Sequence, residues 1–246
     1  MKTDNMKKIS IPFVLFLALA AFAMPGCEKE KTVSLRGDVI GFVKLIDEKG
    51  NPQRDNGNAK VTVGENVATS TTEASGRFEM KNVPVGTYTM TFEREGYSVK
   101  KQFNQLLAGG NEPAVVTGIT LVQFPTIAAS DIKVTSDGYF VTATGTLNPA
   151  VDFYLIRLYV NDSSNVSNEH YDFQGGSQGC CGSLKGFQVS ASSYPVAPPR
   201  NTKLYVALYA SSQANSGGTY SYYDYTSNRW IDPTEKKLGD PIEVIF

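Results

Sequence analysis

Tyr220, Tyr222, Tyr223, Tyr225 and Trp230 place five rings within a short stretch near the carboxyl end. Flat rings with polar tips bury area at low entropic cost and stack on sugar faces or on a partner's surface. Alternation along a strand turns Tyr220 and Tyr222 inward and leaves Tyr223 and Tyr225 outside, so Tyr223, Tyr225 and Trp230 are the candidate ligand-binding residues. The competing role for these rings is packing on a tyrosine-rich edge strand. Cys180 and Cys181, between Gly179 and Gly182, are the second unusual feature. Adjacent thiols have three fates: they stay as thiols in a loop, they close a vicinal disulfide whose tight ring the glycines help to absorb, or they pair between chains. Nothing with Cys-x-x-Cys spacing accompanies them, which argues against a redox enzyme.

Other reactive groups are sparse. His170 stands near Glu169 and Asp172 without a Gly-x-Ser-x-Gly or other nucleophile motif, and is expected to be a loop residue. One histidine and three cysteines leave no ligand set for a structural zinc, although loop oxygens remain available to calcium. No cofactor, metal or catalytic residue is expected. A carboxylate pair for glycoside hydrolysis would need a cleft that two small sandwiches do not obviously offer, so the chain is expected not to be an enzyme. Asn161-Asp-Ser163 and Asn165-Val-Ser167 have the spacing of N-glycosylation sites, but the run suits a turn better.

The elements that position these residues are strands. Tyr and Phe number 13 each in 246 residues, Gly and Pro recur throughout, and no long segment keeps a helical period, so the fold class is all-β. Ahead of the strands, Lys7 and Lys8 precede an apolar run from Phe13 that ends at Met24-Pro-Gly-Cys27. The run is roughly 14 residues, short of the ~18 to 20 that cross a bilayer, and is predicted to be an export signal. Its removal at residue 26 takes away three lysines and one aspartate. The remainder holds 20 basic and 23 acidic residues, against 23 and 24 in the whole chain, which gives nucleic acid no pull.

Met24-Pro-Gly-Cys27 resembles the lipobox of bacterial lipoproteins, departing from it at Met24 and Pro25. That resemblance implies a signal peptide over 1–26, acylation of Cys27 with long chains such as palmitate, and a polar tether over 27–32. The membrane would then be a partner through the lipid anchor, each buried methylene contributing ~0.8 kcal/mol. An outer-membrane address follows, with the folded part in the periplasm or at the cell surface; Glu28-Lys-Glu-Lys31 resembles acidic surface-export tags only weakly.

Residues 33–124 form the first expected domain. Val33, Leu35, Gly37, Val39, Gly41, Val43 and Leu45 share one face of a long first strand. Phe78 with Met80, and Tyr88 with Met90 and Phe92, supply the apolar faces of later strands, and six or seven short strands predict a β-sandwich. Gly41-Phe-Val43, Asp47-Glu-Lys-Gly50, Gly76-Arg-Phe78, Val83-Pro-Val-Gly-Thr-Tyr88 and Glu95-Gly-Tyr97, in this order, resemble the carboxypeptidase regulatory-like domain. The family is a transthyretin-like β-sandwich without peptidase chemistry, so the resemblance implies a folding, spacing or adhesion module. Gly76 and Gly86 belong to its turns.

Residues 125–246 form the second expected domain, after a tight junction at Pro125 to Ser130. Seven strand signals predict another sandwich: 132–134, 139–144, 153–160, 186–189, 204–210, 220–223 and 242–246. Two of these, 153–160 and 204–210, are apolar on both faces and should be central strands covered from outside. Pro198 to Ala210 with Tyr220-Ser-Tyr222 weakly resembles the last strands of a fibronectin type III or immunoglobulin-like domain, which would make Tyr205 a corner tyrosine. The combined expectation is two consecutive β-sandwich domains after a lipoprotein signal, forming a non-enzymatic surface module for a glycan or a partner protein. The alternative is a structural or adhesion subunit of a cell-surface assembly.

Overall fold

Period-two alternation buries Val39, Gly41, Val43 and Leu45 on one face of the first strand. Leu35, expected on that face, is 66% exposed. It lies ahead of the strand pairing, which begins at Arg36. The computed structural model describes residues 35–193 and 198–246. Cys27, the signal 1–26 and the tether 27–32 therefore lie outside the described residues.

Seven strands build the first half: β1 (Arg36–Ile46), β2 (Lys60–Val63), β3 (Ala68–Thr71), β4 (Arg77–Pro84), β5 (Gly86–Glu93), β6 (Lys100–Leu107) and β7 (Ala114–Val122). They form two sheets, β4-β1-β7 and β3-β2-β5-β6, with β7 parallel to β1 and the other pairs antiparallel. Phe78, Met80, Val116 and Leu121 of the first sheet pack with Val61, Met90 and Phe92 of the second. The Phe78 and Phe92 rings meet edge to face at 6.0 Å. Gly76 takes a φ of +86°, and a β-carbon there would lie 2.2 Å from the Val43 carbonyl oxygen, so this turn admits only glycine. Gly86 makes room in a different way: a β-carbon would come within 2.9 Å of the Tyr88 ring, whose hydroxyl donates to the Pro84 carbonyl.

The second half contains β8 (Ala128–Ser136), β9 (Phe140–Asn161), β10 (Phe173–Ser192), β11 (Lys203–Ser211), β12 (Tyr222–Asp224), β13 (Arg229–Ile231), β14 (Lys236–Lys237) and β15 (Ile242–Ile245). Two of the expected strands merge, because the chain stays extended from 140 to 161. It passes Pro149 at a point where neither neighbour is paired in register, so the missing N–H leaves no partner unmatched. The first part of β9 pairs with β8 and the end of β10, and the last part pairs with the start of β10 and with β11. One sheet thus folds over itself into a sandwich. Val141, Ala143, Phe187 and Val189 on one side meet Ile156, Leu158, Val206 and Leu208 on the other.

The outward face of β9 and β11 is covered, as their apolar composition predicts. Tyr159, Ala207 and Tyr209 pack with Val166 and Tyr171 from the connection between β9 and β10. Tyr205, the expected corner tyrosine, packs against this outer cluster. Leu35–Phe246 make one compact unit. Glu48 clamps the passage between the halves, its carboxylate accepting from Thr126 N at 2.6 Å and Thr126 Oγ1 at 2.9 Å while its carbonyl accepts from Ala214 N at 2.9 Å. Ser212 adds a bond to the Gln123 carbonyl and Lys236 one to the Pro125 carbonyl. No helix among the described residues is long and apolar enough to cross a membrane.

Candidate functional site

The aromatic segment leaves β11 through a single 3-10 turn, Gln213–Asn215, and returns as the hairpin β12–β13. Asn215 is buried and closes the base of this excursion. Its side-chain oxygen accepts from Tyr220 N at 2.8 Å, and its amide donates to Ser221 Oγ at 3.2 Å and to Asp232 Oδ1 at 2.7 Å. Asp232 also accepts from the backbone and hydroxyl of Thr234. Both ends of the excursion are therefore tied through one amide.

Register places Tyr223 opposite Trp230. Their rings meet at 5.8 Å, Tyr223 meets Tyr225 at 5.2 Å, and both contacts are edge to face. Tyr223 donates its hydroxyl to Asn228 Oδ1. Tyr225 is 72% exposed and Trp230 69%, so all three candidate residues gather on one ridge with its ends open to solvent. Tyr222 turns the other way, toward the first half, where its ring meets Phe103 at 6.1 Å under the Lys100 ammonium. Burial, with the Asp224 charge second, pushes the Tyr222 hydroxyl up to about 12. Phe103 also braces Tyr225 at 5.9 Å, and Lys101 Nζ lies 3.7 Å from the buried Asp224 carboxylate. Residues of β6 thus support a hairpin about 120 residues later, a pairing with no local signal in the sequence.

Behind the hairpin lies a buried charged group that sequence reasoning missed. Glu235 accepts from the Tyr159 hydroxyl at 2.9 Å and 3.0 Å and pairs with Arg157 Nε at 3.0 Å, while Asp232 Oδ2 stands 3.9 Å from the same guanidinium. One cation faces two carboxylates. Burial first, and the Asp232 charge second, push the Glu235 carboxyl up to about 7. Arg229 continues the support by lying 4.0 Å over the Tyr171 ring, which packs on Tyr159.

Cys180 and Cys181 sit in strand β10, not in a loop, at the point where its register with β9 shifts. Both are exposed free thiols with sulfurs 2.7 Å apart. Cys181 has a φ of +74° and Gly182 one of +154°. The hydrogen bond and charge of Cys181 raise the Cys180 thiol above its ordinary value. His170 is exposed in the β9–β10 connection, bonded through its backbone to Ser167. Beside the thiols, contrary to the expectation of little cleft, a cleft of ≈ 490 Å³ opens between the halves; Lys49, Thr126, Asp152, Tyr154, Ser183 and Gln213 are among its lining residues.

Residues 41–122 match the Carboxypeptidase regulatory-like domain family. The matched stretch runs through the first sandwich, from Gly41 within β1 to the end of β7. No curated protein matches the chain. Among solved structures, a candidate carbohydrate-binding protein from Bacteroides uniformis is 16% identical, with 86% of this chain and all of that one covered and a TM-score of 0.36. A DUF3823 family protein from Bacteroides ovatus is 12% identical over 85% of this chain and 98% of that one, TM-score 0.34. A third, the DUF3823 family protein from Parabacteroides merdae, is 10% identical over 85% and 99%, TM-score 0.33.

Proposed function

We propose that the protein is a non-enzymatic binding module, anchored to the outer membrane through acylated Cys27, whose Tyr223, Tyr225 and Trp230 ridge stacks on the sugar rings of a surface glycan. The observation that carries this reading is the ridge itself. Two large rings stay exposed while their neighbours hold them in fixed edge-to-face contact, so little side-chain entropy remains to be lost on binding. Edge-to-face packing leaves ring faces available to the apolar face of a sugar. The regulatory-like domain would act as the spacer that carries Phe103 and Lys101 to the back of the hairpin.

Retention of the mature, acylated protein on a panel of insoluble and soluble polysaccharides tests the reading. Trp230→Ala and Tyr225→Ala should each weaken retention about tenfold, equivalent to about 1.4 kcal/mol. If no polysaccharide retains the protein and crosslinking at the ridge captures one defined surface protein, the glycan reading fails and the adhesion-subunit reading replaces it. Protease shaving of intact cells reports which side of the outer membrane the ridge faces.

A further inference from the structure

We propose that the cleft between the halves is a second binding site, for a mono- or disaccharide, separate from the aromatic ridge. Its ≈ 490 Å³ volume falls in the ~300 to 1,000 Å³ range of small-molecule sites, which favour junctions of this kind. Both halves contribute: Lys49 comes from the turn after β1, Asp152 and Tyr154 from β9, Ser183 from the irregular part of β10, and Gln213 from the 3-10 turn. The cleft is thus built only when the two sandwiches are docked, and the Glu48 clamp on Thr126 forms part of its wall.

Side-chain chemistry selects the ligand. The Asp152 carboxylate, the Lys49 ammonium and the Gln213 amide make no hydrogen bond or ion pair among the described residues. They offer an acceptor, a donor and a group that is both, the chemistry that pairs with the hydroxyls of a sugar. Tyr154 supplies an aromatic wall, and Gly179 fixes its position: a β-carbon there would lie 2.5 Å from the ring, so the glycine lets the ring rest on the β10 backbone. Glu48 and Asp152 offset Lys49, which disfavours an anion. A hydroxylated ring with one apolar face satisfies both the polar groups and the tyrosine.

Calorimetric titration of the full mature chain with methyl glycosides of glucose, galactose, mannose and N-acetylglucosamine, and with their disaccharides, tests the proposal. At least one should bind, and Tyr154→Ala should weaken it about tenfold or more. Because Tyr154 also packs on β10, Asp152→Asn and Gln213→Ala repeat the test at exposed positions, each with an expected loss of about fivefold. Trp230→Ala should leave small-sugar binding unchanged while weakening polymer retention. The cleft assignment is overturned if no saccharide of the panel binds, if the cleft substitutions have no effect, or if Trp230→Ala abolishes small-sugar binding too. Binding of small sugars with no polymer retained would support the cleft and remove the ridge reading instead.

Discussion

Glu235 ties stability to pH in a direction opposite to that of most paired carboxylates. Its folded value of about 7 lies above its ordinary 4.5 because burial and the Asp232 charge outweigh the help of Arg157 and Tyr159. Between those values the folded chain holds a proton that the unfolded chain has lost. The contribution is therefore complete below 4.5 and disappears as pH rises through 7, amounting to about 3 kcal/mol over that window. Denaturant titrations from pH 4.5 to 8 should show this decline, and Glu235→Gln should flatten it and be the more stable protein at pH 8. A wild-type slope retained in the variant would assign the pH dependence elsewhere. Cys180 and Cys181 make a second prediction at this scale. Positive φ at Cys181 and Gly182 and the interrupted register free this part of the strand to bring adjacent sulfurs together. Mild peroxide should lower the mass of the peptide holding both by two hydrogens, reversibly with reductant; two alkylatable thiols after treatment would exclude the ring. The pair's oddity was legible in the sequence, whereas Glu235 was not, because one glutamate among many carries no mark of burial until β9 brings Arg157 and Tyr159 to it.

Elements were legible where local pattern and tertiary context agree. The alternation of β1, β4 and β5 survives in the structure because each has one buried and one open face. The parallel pairing of β1 with β7 joins residues more than seventy positions apart, and no turn between them announces it. β13 escaped notice because three residues, Arg229-Trp-Ile231, are too few to show a period. This hairpin is stabilised from its base, which makes Asn215 its weak point. Asn215→Ala would leave Tyr220 N and Asp232 without their shared partner, at a cost of about 1 to 3 kcal/mol. The ridge should loosen before the sandwich core unfolds. Trp230 is the chain's one tryptophan, so its fluorescence reports the hairpin directly: greater acrylamide quenching in Asn215→Ala, with an unchanged far-ultraviolet spectrum, is expected. Equal quenching in the two proteins would show that contacts other than Asn215, such as those to Phe103, Lys101 and Tyr171, hold the hairpin.

At the scale of the whole molecule, β1 separates two ends of the first sandwich. Leu35, where the described chain begins, lies at one end, and the Glu48 clamp to the second half lies just beyond the other. Eleven residues in β1 at ~3.3 Å each span about 36 Å. In the proposed acylated protein, a molecule standing upright on its first sandwich would leave the cleft, at the clamp end, and the ridge, which leans on β6 through Phe103, open to a polymer approaching from solvent. Tryptophan and tyrosine also favour membrane interfaces, so the same rings would behave differently if the molecule lay flat. Reconstitution of the acylated chain in phosphatidylethanolamine and phosphatidylglycerol vesicles separates the two arrangements. Trp230 emission should be quenched by soluble acrylamide and left unchanged by brominated acyl chains, and addition of the retained polysaccharide should protect it from acrylamide. Quenching by brominated lipid would mean that the ridge rests on the bilayer, which would turn its aromatic surface from a glycan platform into a second membrane contact.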